Sequence, residues 1–200
     1  MIQVRDDSDD GSDFETAPPA EYKGNVFDQA LTAAEFNDTE HLKKLIAQEP
    51  AVVCARDSDR YTPLHRASYS GHLESVKLLL DNGADHKACT LEGWQPLHCA
   101  ARWGNYEIAH ALIAAGADIN ATSNGGMTPL HLAANEKNGR KTVELLLWQS
   151  SIDAQKANRA GDLPKFLARR KGNFSELFEM VEPSVSSLHL EVVKRCDNRE

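Results

Sequence analysis

The chain has 200 residues, with 30 acidic against 22 basic side chains and a formal net charge of −8. That length supports one sizeable core, or a quasi-linear stack of units sharing a continuous one. So few clustered cations argue against direct nucleic-acid binding, and no apolar run approaches the ~18 residues of a membrane span.

The charge is unevenly spread. Residues 1–22 hold seven acids (Asp6, Asp7, Asp9, Asp10, Asp13, Glu15, Glu21) against Arg5, a net of −6 that leaves −2 for the remainder. Residues 1–24 therefore read as an acidic disordered tail, without the apolar h-region of a secretory leader. Within it, Ser12-Asp13-Phe14-Glu15 looks like an acidophilic kinase site, making Ser12 a candidate for phosphorylation. The four cysteines (Cys54, Cys89, Cys99, Cys196) form no CxxC pair and read as reduced thiols of a cytosolic or nuclear protein.

From Val26 the pattern turns helical. Leu31–Ile46 has a two-helix rhythm, with Leu42, Leu45 and Ile46 apolar and Glu35, Asp38, Glu40, Lys43 and Lys44 outward, as a solvent-facing end unit requires. Three near-copies of one phrase follow: Thr62-Pro63-Leu64-His65, Gln95-Pro96-Leu97-His98 and Thr128-Pro129-Leu130-His131. Successive copies begin 33 residues apart, and a degraded fourth, Leu163-Pro164-Lys165-Phe166, begins 35 residues after the third. A fixed period of roughly 20–50 residues marks stacked supersecondary units that cannot bury their apolar faces alone.

Inside each full repeat the same events recur. The proline suits a first helical position, and alanines (Ala67, Ala100, Ala101, Ala133, Ala134) keep the helix thin. Gly71 and Gly104 break it. A second helix then carries Leu73, Val76, Leu79 and Leu80, or Ile108, Leu112 and Ile113, and stops at Gly83 or Gly116. An extended link and a turn at Gly93 or Gly126 lead to the next phrase. The third repeat holds two extra residues, near Asn138-Gly139 and Ser150-Ser151, which read as lengthened turns. Leu163–Val181 is a closing unit in which Lys165 replaces the leucine of the phrase. In residues 183–200, Leu188, Val192, Val193 and Cys196 fit either one helical stripe or a frayed tail.

This order of proline-started helix, glycine turn, second helix, Gly-Ala-Asp exit (83–85, 116–118) and hairpin turn resembles the ankyrin repeat over about residues 26–182. The resemblance implies an all-α ankyrin-repeat solenoid over residues 25–182: paired antiparallel helices with β-hairpin-like loops, an N-terminal cap, three full repeats and a C-terminal cap. It also implies that His65, His98 and His131 are structural, each hydrogen-bonding between neighbouring repeats. Tips and first helices would line a concave groove. That places Tyr61, Trp94 and Met127 at the tips, with Tyr69, Arg102 and Trp103 at the helix ends, as candidate partner-binding residues. Tyr, Trp and Arg dominate binding hot spots, so the cluster is pointed. The alternative is that Trp94 and Trp103 pack across repeats and only stiffen the stack. Trp148 reads as core or back surface. Leu112 followed by Asp118-Ile119-Asn120 is similar to the context in which ankyrin asparagines are hydroxylated, so Asn120 is a candidate for that modification, or else a plain hairpin asparagine.

Catalytic motifs are absent: no Gly-rich phosphate cradle, no HExxH and no GxSxG. His98-Cys99 suggests a base beside a nucleophile, but adjacent helical residues point about 100° apart. His65, Cys89 and Cys99 match no closed zinc site. The expectation is a monomeric, non-enzymatic adaptor of the nucleus or cytoplasm, with no cofactor, metal, membrane or nucleic-acid binding, whose groove holds a protein partner; transcriptional regulation is a suggested role. The rival reading is a regulatory subunit that masks an enzyme or transcription factor with help from the acidic tail.

Overall fold

The computed structural model describes residues 18–19, 21–172 and 174–181, so Ser12 and residues 183–200 lie outside the described residues. Helix α1, Val26–Glu35, begins where the Asn25 side chain accepts the N–H groups of Phe27 (2.8 Å) and Asp28 (3.0 Å). The Asp28 carboxylate in turn accepts the N–H of Asn25 at 3.1 Å, closing a capping box. Helix α2, Thr39–Gln48, is capped by Asp38, which accepts the His41 N–H at 2.9 Å. The other oxygen of Asp38 accepts the Tyr22 hydroxyl at 2.7 Å, and the Tyr22 ring stacks on His41 at 4.0 Å. Tyr22, which composition alone assigns to the tail, is thus pinned to the first unit. A 3-10 turn, Pro50–Cys54, buries Val52 and Val53 beneath this cap.

Three helix pairs follow: α3 Pro63–Ser70 with α4 Leu73–Asp81, α5 Pro96–Arg102 with α6 Tyr106–Ala114, and α7 Pro129–Ala134 with α8 Arg140–Leu147. Each first helix starts on proline because that position has no intrahelical acceptor for an N–H. Helix α3 ends at Gly71, whose φ of +88° is the left-handed cap conformation that glycine adopts without strain. The lengthened turn after α7 depends on Gly139 for another reason. A Cβ there would fall on the carbonyl oxygen of Ala133.

Helices α1, α3, α5, α7 and α9 (Pro164–Arg170) pack side by side in one row, and α2, α4, α6 and α8 form a looser second row. The first row is the more tightly packed of the two. The thin alanine faces permit that approach, with Ala67, Ala100, Ala101, Ala133 and Ala134 all fully buried. The continuous core between the rows is built from Leu64, Leu97 and Leu130 against Val76, Leu79, Ile108, Leu112, Val143 and Leu146. Such burial contributes about 1.5–3 kcal/mol per large side chain, so stability resides in the stacking of units.

The tips are turns; among the described residues no strand occurs. Each turn closes with two backbone bonds, an outer one from Asp57 N–H to Tyr61 O (3.1 Å), Thr90 to Trp94 (2.9 Å), Ser123 to Met127 (2.9 Å) and Asn158 to Asp162 (3.0 Å), and an inner one from Arg60 N–H to Asp57 O (3.0 Å), Gly93 to Thr90 (3.0 Å), Gly126 to Ser123 (2.8 Å) and Gly161 to Asn158 (3.0 Å). Neighbouring tips are also joined, Leu91 N–H to Asp59 O (3.0 Å), Asn124 to Glu92 (2.9 Å) and Arg159 to Gly125 (3.0 Å). The stack closes on α9 and a 3-10 turn, Ser175–Val181, in place of a full second helix.

Trp148 corrects half of one expectation. It follows Leu147 at the end of α8 and is 81% exposed, so it belongs to the back surface and not to the core. One residue past a buried leucine, the helix has turned about 100° and faces solvent.

Candidate partner-binding face

The first helices carry two sets of side chains, one turned inward and one outward. The inward set is His65, His98 and His131, all fully buried. In each ring Nδ1 accepts the backbone N–H of the N-cap residue: Thr62 (3.2 Å), Gln95 (3.1 Å) and Thr128 (3.1 Å). Nε2 faces a carbonyl oxygen of the next tip: Trp94 (3.0 Å), Met127 (3.1 Å) and Asp162 (3.0 Å). A carbonyl can only accept and an N–H can only donate, so these partners assign the neutral Nε2–H tautomer. Burial disfavours the charged ring. It lowers His65 and His98 to about 4 and moves His131 the same way, against the opposing pull of the carbonyl each ring bonds.

The outward set lies at the helix ends. Tyr69 and Trp103 are each 37% exposed and meet edge to face with ring centroids 4.9 Å apart. The Arg102 guanidinium lies 4.9 Å from the centroid of the Trp103 ring and pairs with Glu136 of the following repeat at 2.7 Å. Tyr61 is half-buried beside them. Burial first, and then the nearby Cys99, Glu92 and Tyr69, push its phenol up to about 12. That environment joins the second tip and the end of α3 in one neighbourhood. Trp94 and Met127 differ from the other expected members. Both are partly buried against the core, Trp94 with its ring 6.4 Å from His98 and Met127 with its sulfur accepting from Asn158 at 3.2 Å.

Arg66 joins this face without having been singled out from the sequence. It bridges Asp57 (2.6 Å) and Glu35 (3.2 Å) and lies 5.6 Å from the centroid of the Tyr61 ring. A signal was present: the residue after each phrase histidine is Arg66, Cys99 and Leu132, a position where the repeats disagree.

A family model for ankyrin repeats in three copies matches residues 30–123 and 87–159. The chain belongs to the ankyrin-repeat family. It is 53% identical over 152 residues to ankyrin repeat domain-containing protein 49 of Bos taurus, covering 76% of this chain and 64% of that protein. The protein of the same name from Homo sapiens is 51% identical over 157 residues, covering 78% of this chain and 66% of the relative. That from Drosophila melanogaster is 47% identical over 152 residues, covering 76% of this chain and 71% of the relative. The aligned part spans just under two thirds of the two mammalian relatives.

Other candidate residues of this ankyrin stack fall away from the outward face. Asn120 sits in the link after α6, where Nδ2 donates to Ser151 O (2.7 Å) and Oδ1 accepts the Asp153 N–H (2.9 Å). Its amide therefore ties the second repeat to the third, and hydroxylating chemistry at this residue would have to release both bonds. In the adjacent His98 and Cys99, both ring nitrogens are engaged, and burial pushes the Cys99 thiol up to about 12. That leaves neither a free base nor an available thiolate. Among the described residues no cluster of three or more His, Cys, Asp or Glu could hold a metal ion, and no helix is long and apolar enough to cross a membrane.

Proposed function

We propose that this chain, whose ankyrin repeats make a protein–protein interaction module, is a non-enzymatic adaptor that holds its protein partner on the ridge formed by Tyr69, Trp103 and Arg102, with Tyr61 and Arg66 beside it and Trp94 and Met127 as its packed support. The observation that carries this reading is the exposed edge-to-face pair Tyr69–Trp103. Two large rings held half-exposed at a helix end contribute little to the core, yet present rigid amphipathic area to a partner. The setting we assign is intracellular, in the nucleus or cytoplasm, with control of transcription as the role to be examined there.

The test is proximity labelling in cells with the native chain and with Tyr69→Ala/Trp103→Ala, alongside circular dichroism of both proteins. Loss of a defined set of labelled partners with helicity unchanged supports the proposal. An unchanged set sinks it. Trp94 is excluded from the variant because its ring packs against the core, and its loss would confuse binding with stability.

A further inference from the structure

The outward ridge does not end with the third repeat. In register with Tyr69-Ser70, Arg102-Trp103 and Asn135-Glu136, the last unit places Arg170-Lys171 at the end of α9. Along this row the character changes, from aromatic rings in the first two repeats, through an amide and an acid, to two cations. Arg102 and Glu136 satisfy one another at 2.7 Å, and Arg170 is held by Asp162 at 2.8 Å. Arg169 and Lys171, on either side of Arg170, are exposed and hold no ion pair among the described residues. Arg159, in the tip that precedes α9, is exposed as well. At the first two tips, by contrast, Asp57, Asp59 and Glu92 offset Arg56 and Arg60. Unmatched positive charge therefore gathers at one end of the ridge only.

We propose that the partner is an extended protein segment with an apolar anchor on the Tyr69–Trp103 pair and a run of carboxylates over Arg169, Lys171 and Arg159. This rests on the ridge reading above and adds the partner's charge and direction to it. Charge complementarity selects the acid, because cations without partners are matched by carboxylates at little cost in desolvation when both stay at the rim. It also sets the direction. A carboxylate run laid the other way would meet Asp59 and Glu92, both exposed. The spacing follows from the packing of α5 on α7 and α7 on α9. Packed helix axes lie about 8–10 Å apart, so two steps put the cations roughly 16–20 Å from the rings. An extended chain covers that distance in about 5–6 residues. Nucleic acid fits less well, since the chain carries −8 overall and a strand with a phosphate at every step would also have to pass Glu92 and Glu136.

The experiment is fluorescence polarisation of the full chain with labelled peptides in which a tryptophan and a block of four glutamates lie about five residues apart, in either order. One of the two orders should bind about tenfold more tightly than its lysine counterpart, and than a peptide with the block next to the tryptophan. Arg169→Glu/Lys171→Glu should erase that preference with helicity unchanged, as should raised salt, while the pair of Arg170 with Asp162 stays in place. Arg169→Gln/Lys171→Gln should fall between the two. Tyr69→Ala/Trp103→Ala should instead weaken glutamate and lysine peptides alike. Equal binding of the two peptide charges overturns this inference and leaves the ridge standing, whereas indifference to the ring variant defeats the ridge itself. Binding that emerges only after residues 1–17 are deleted overturns it in favour of the chain's own acidic tail. Displacement of the peptide by poly-uridine of equal charge overturns it in favour of nucleic acid.

Discussion

The histidine seam and the aromatic ridge are carried by the same helices, about one turn apart, and obey opposite rules. At the seam, every repeat places the same side chain on the same two backbone groups, so the contact is indifferent to which neighbour it joins. At the ridge each repeat differs: Tyr69-Ser70, then Arg102-Trp103, then Asn135-Glu136. Uniform positions hold the stack together and divergent ones give it an individual surface. The repeat period therefore sorts residues by task, through agreement between copies at one phase and disagreement at another.

The comparison can be broken most severely at the seam. His98→Ala strands the Gln95 N–H and the Met127 carbonyl and opens a cavity, at a cost of about 3–5 kcal/mol in urea unfolding. A loss below about 1 kcal/mol would mean that the seam is ornamental.

Acid should attack the same place. The folded pKa of His65 and His98 is about 4, below the ordinary 6.5, so between those values the unfolded chain binds more protons and stability falls as pH falls. Going from pH 7 to 5 should cost about 2 kcal/mol for each of the two rings, with His131 acting in the same direction. Denaturation midpoints that stay flat over this range would contradict the neutral, buried tautomer.

The ridge should behave in the reverse way. Trp103→Ala should reduce partner affinity by about 2 kcal/mol, roughly thirtyfold, while changing unfolding free energy by under about 1 kcal/mol. Titration calorimetry with the captured partner and urea unfolding read the two halves of that statement. Glu136→Gln removes the half-buried pair with Arg102 and should cost only about 0.5–1 kcal/mol of stability, measured as a cycle with Arg102→Ala. Trp148→Ser, at the most exposed large ring of the described residues, should stay within about 0.5 kcal/mol.

Where the first helices begin was legible from a local rule repeated three times, whereas the bonding of the histidines between repeats and the outward face were implied by the resemblance to the ankyrin repeat and not by spacing. Proline sets a first turn, and a residue repeated at one phase has the same neighbours each time. What escaped depends on single, unrepeated contacts. Tyr22 reaches Asp38 across 16 residues, which no spacing rule encodes. Arg66 finds Asp57 and Glu35 from a position its sister repeats fill with Cys99 and Leu132. The resemblance to ankyrin repeats put Trp94 and Trp103 on one face, with packing across repeats as the alternative, and Trp94 is partly buried against the core at a tip held by the preceding repeat's histidine. Period reports direction, and depth depends on what happens to lie there.

The seam also has a polarity. Each Nε2–H points from one unit to a carbonyl of the next, and a carbonyl is the one group that every residue possesses. Removing residues 96–128 would bring Gln95 directly before Pro129, leaving His131 a backbone N–H to accept and His65 the Trp94 oxygen to address. The joint has a grammar of whole periods, in which a unit can be cut out or copied without any other unit needing a new word.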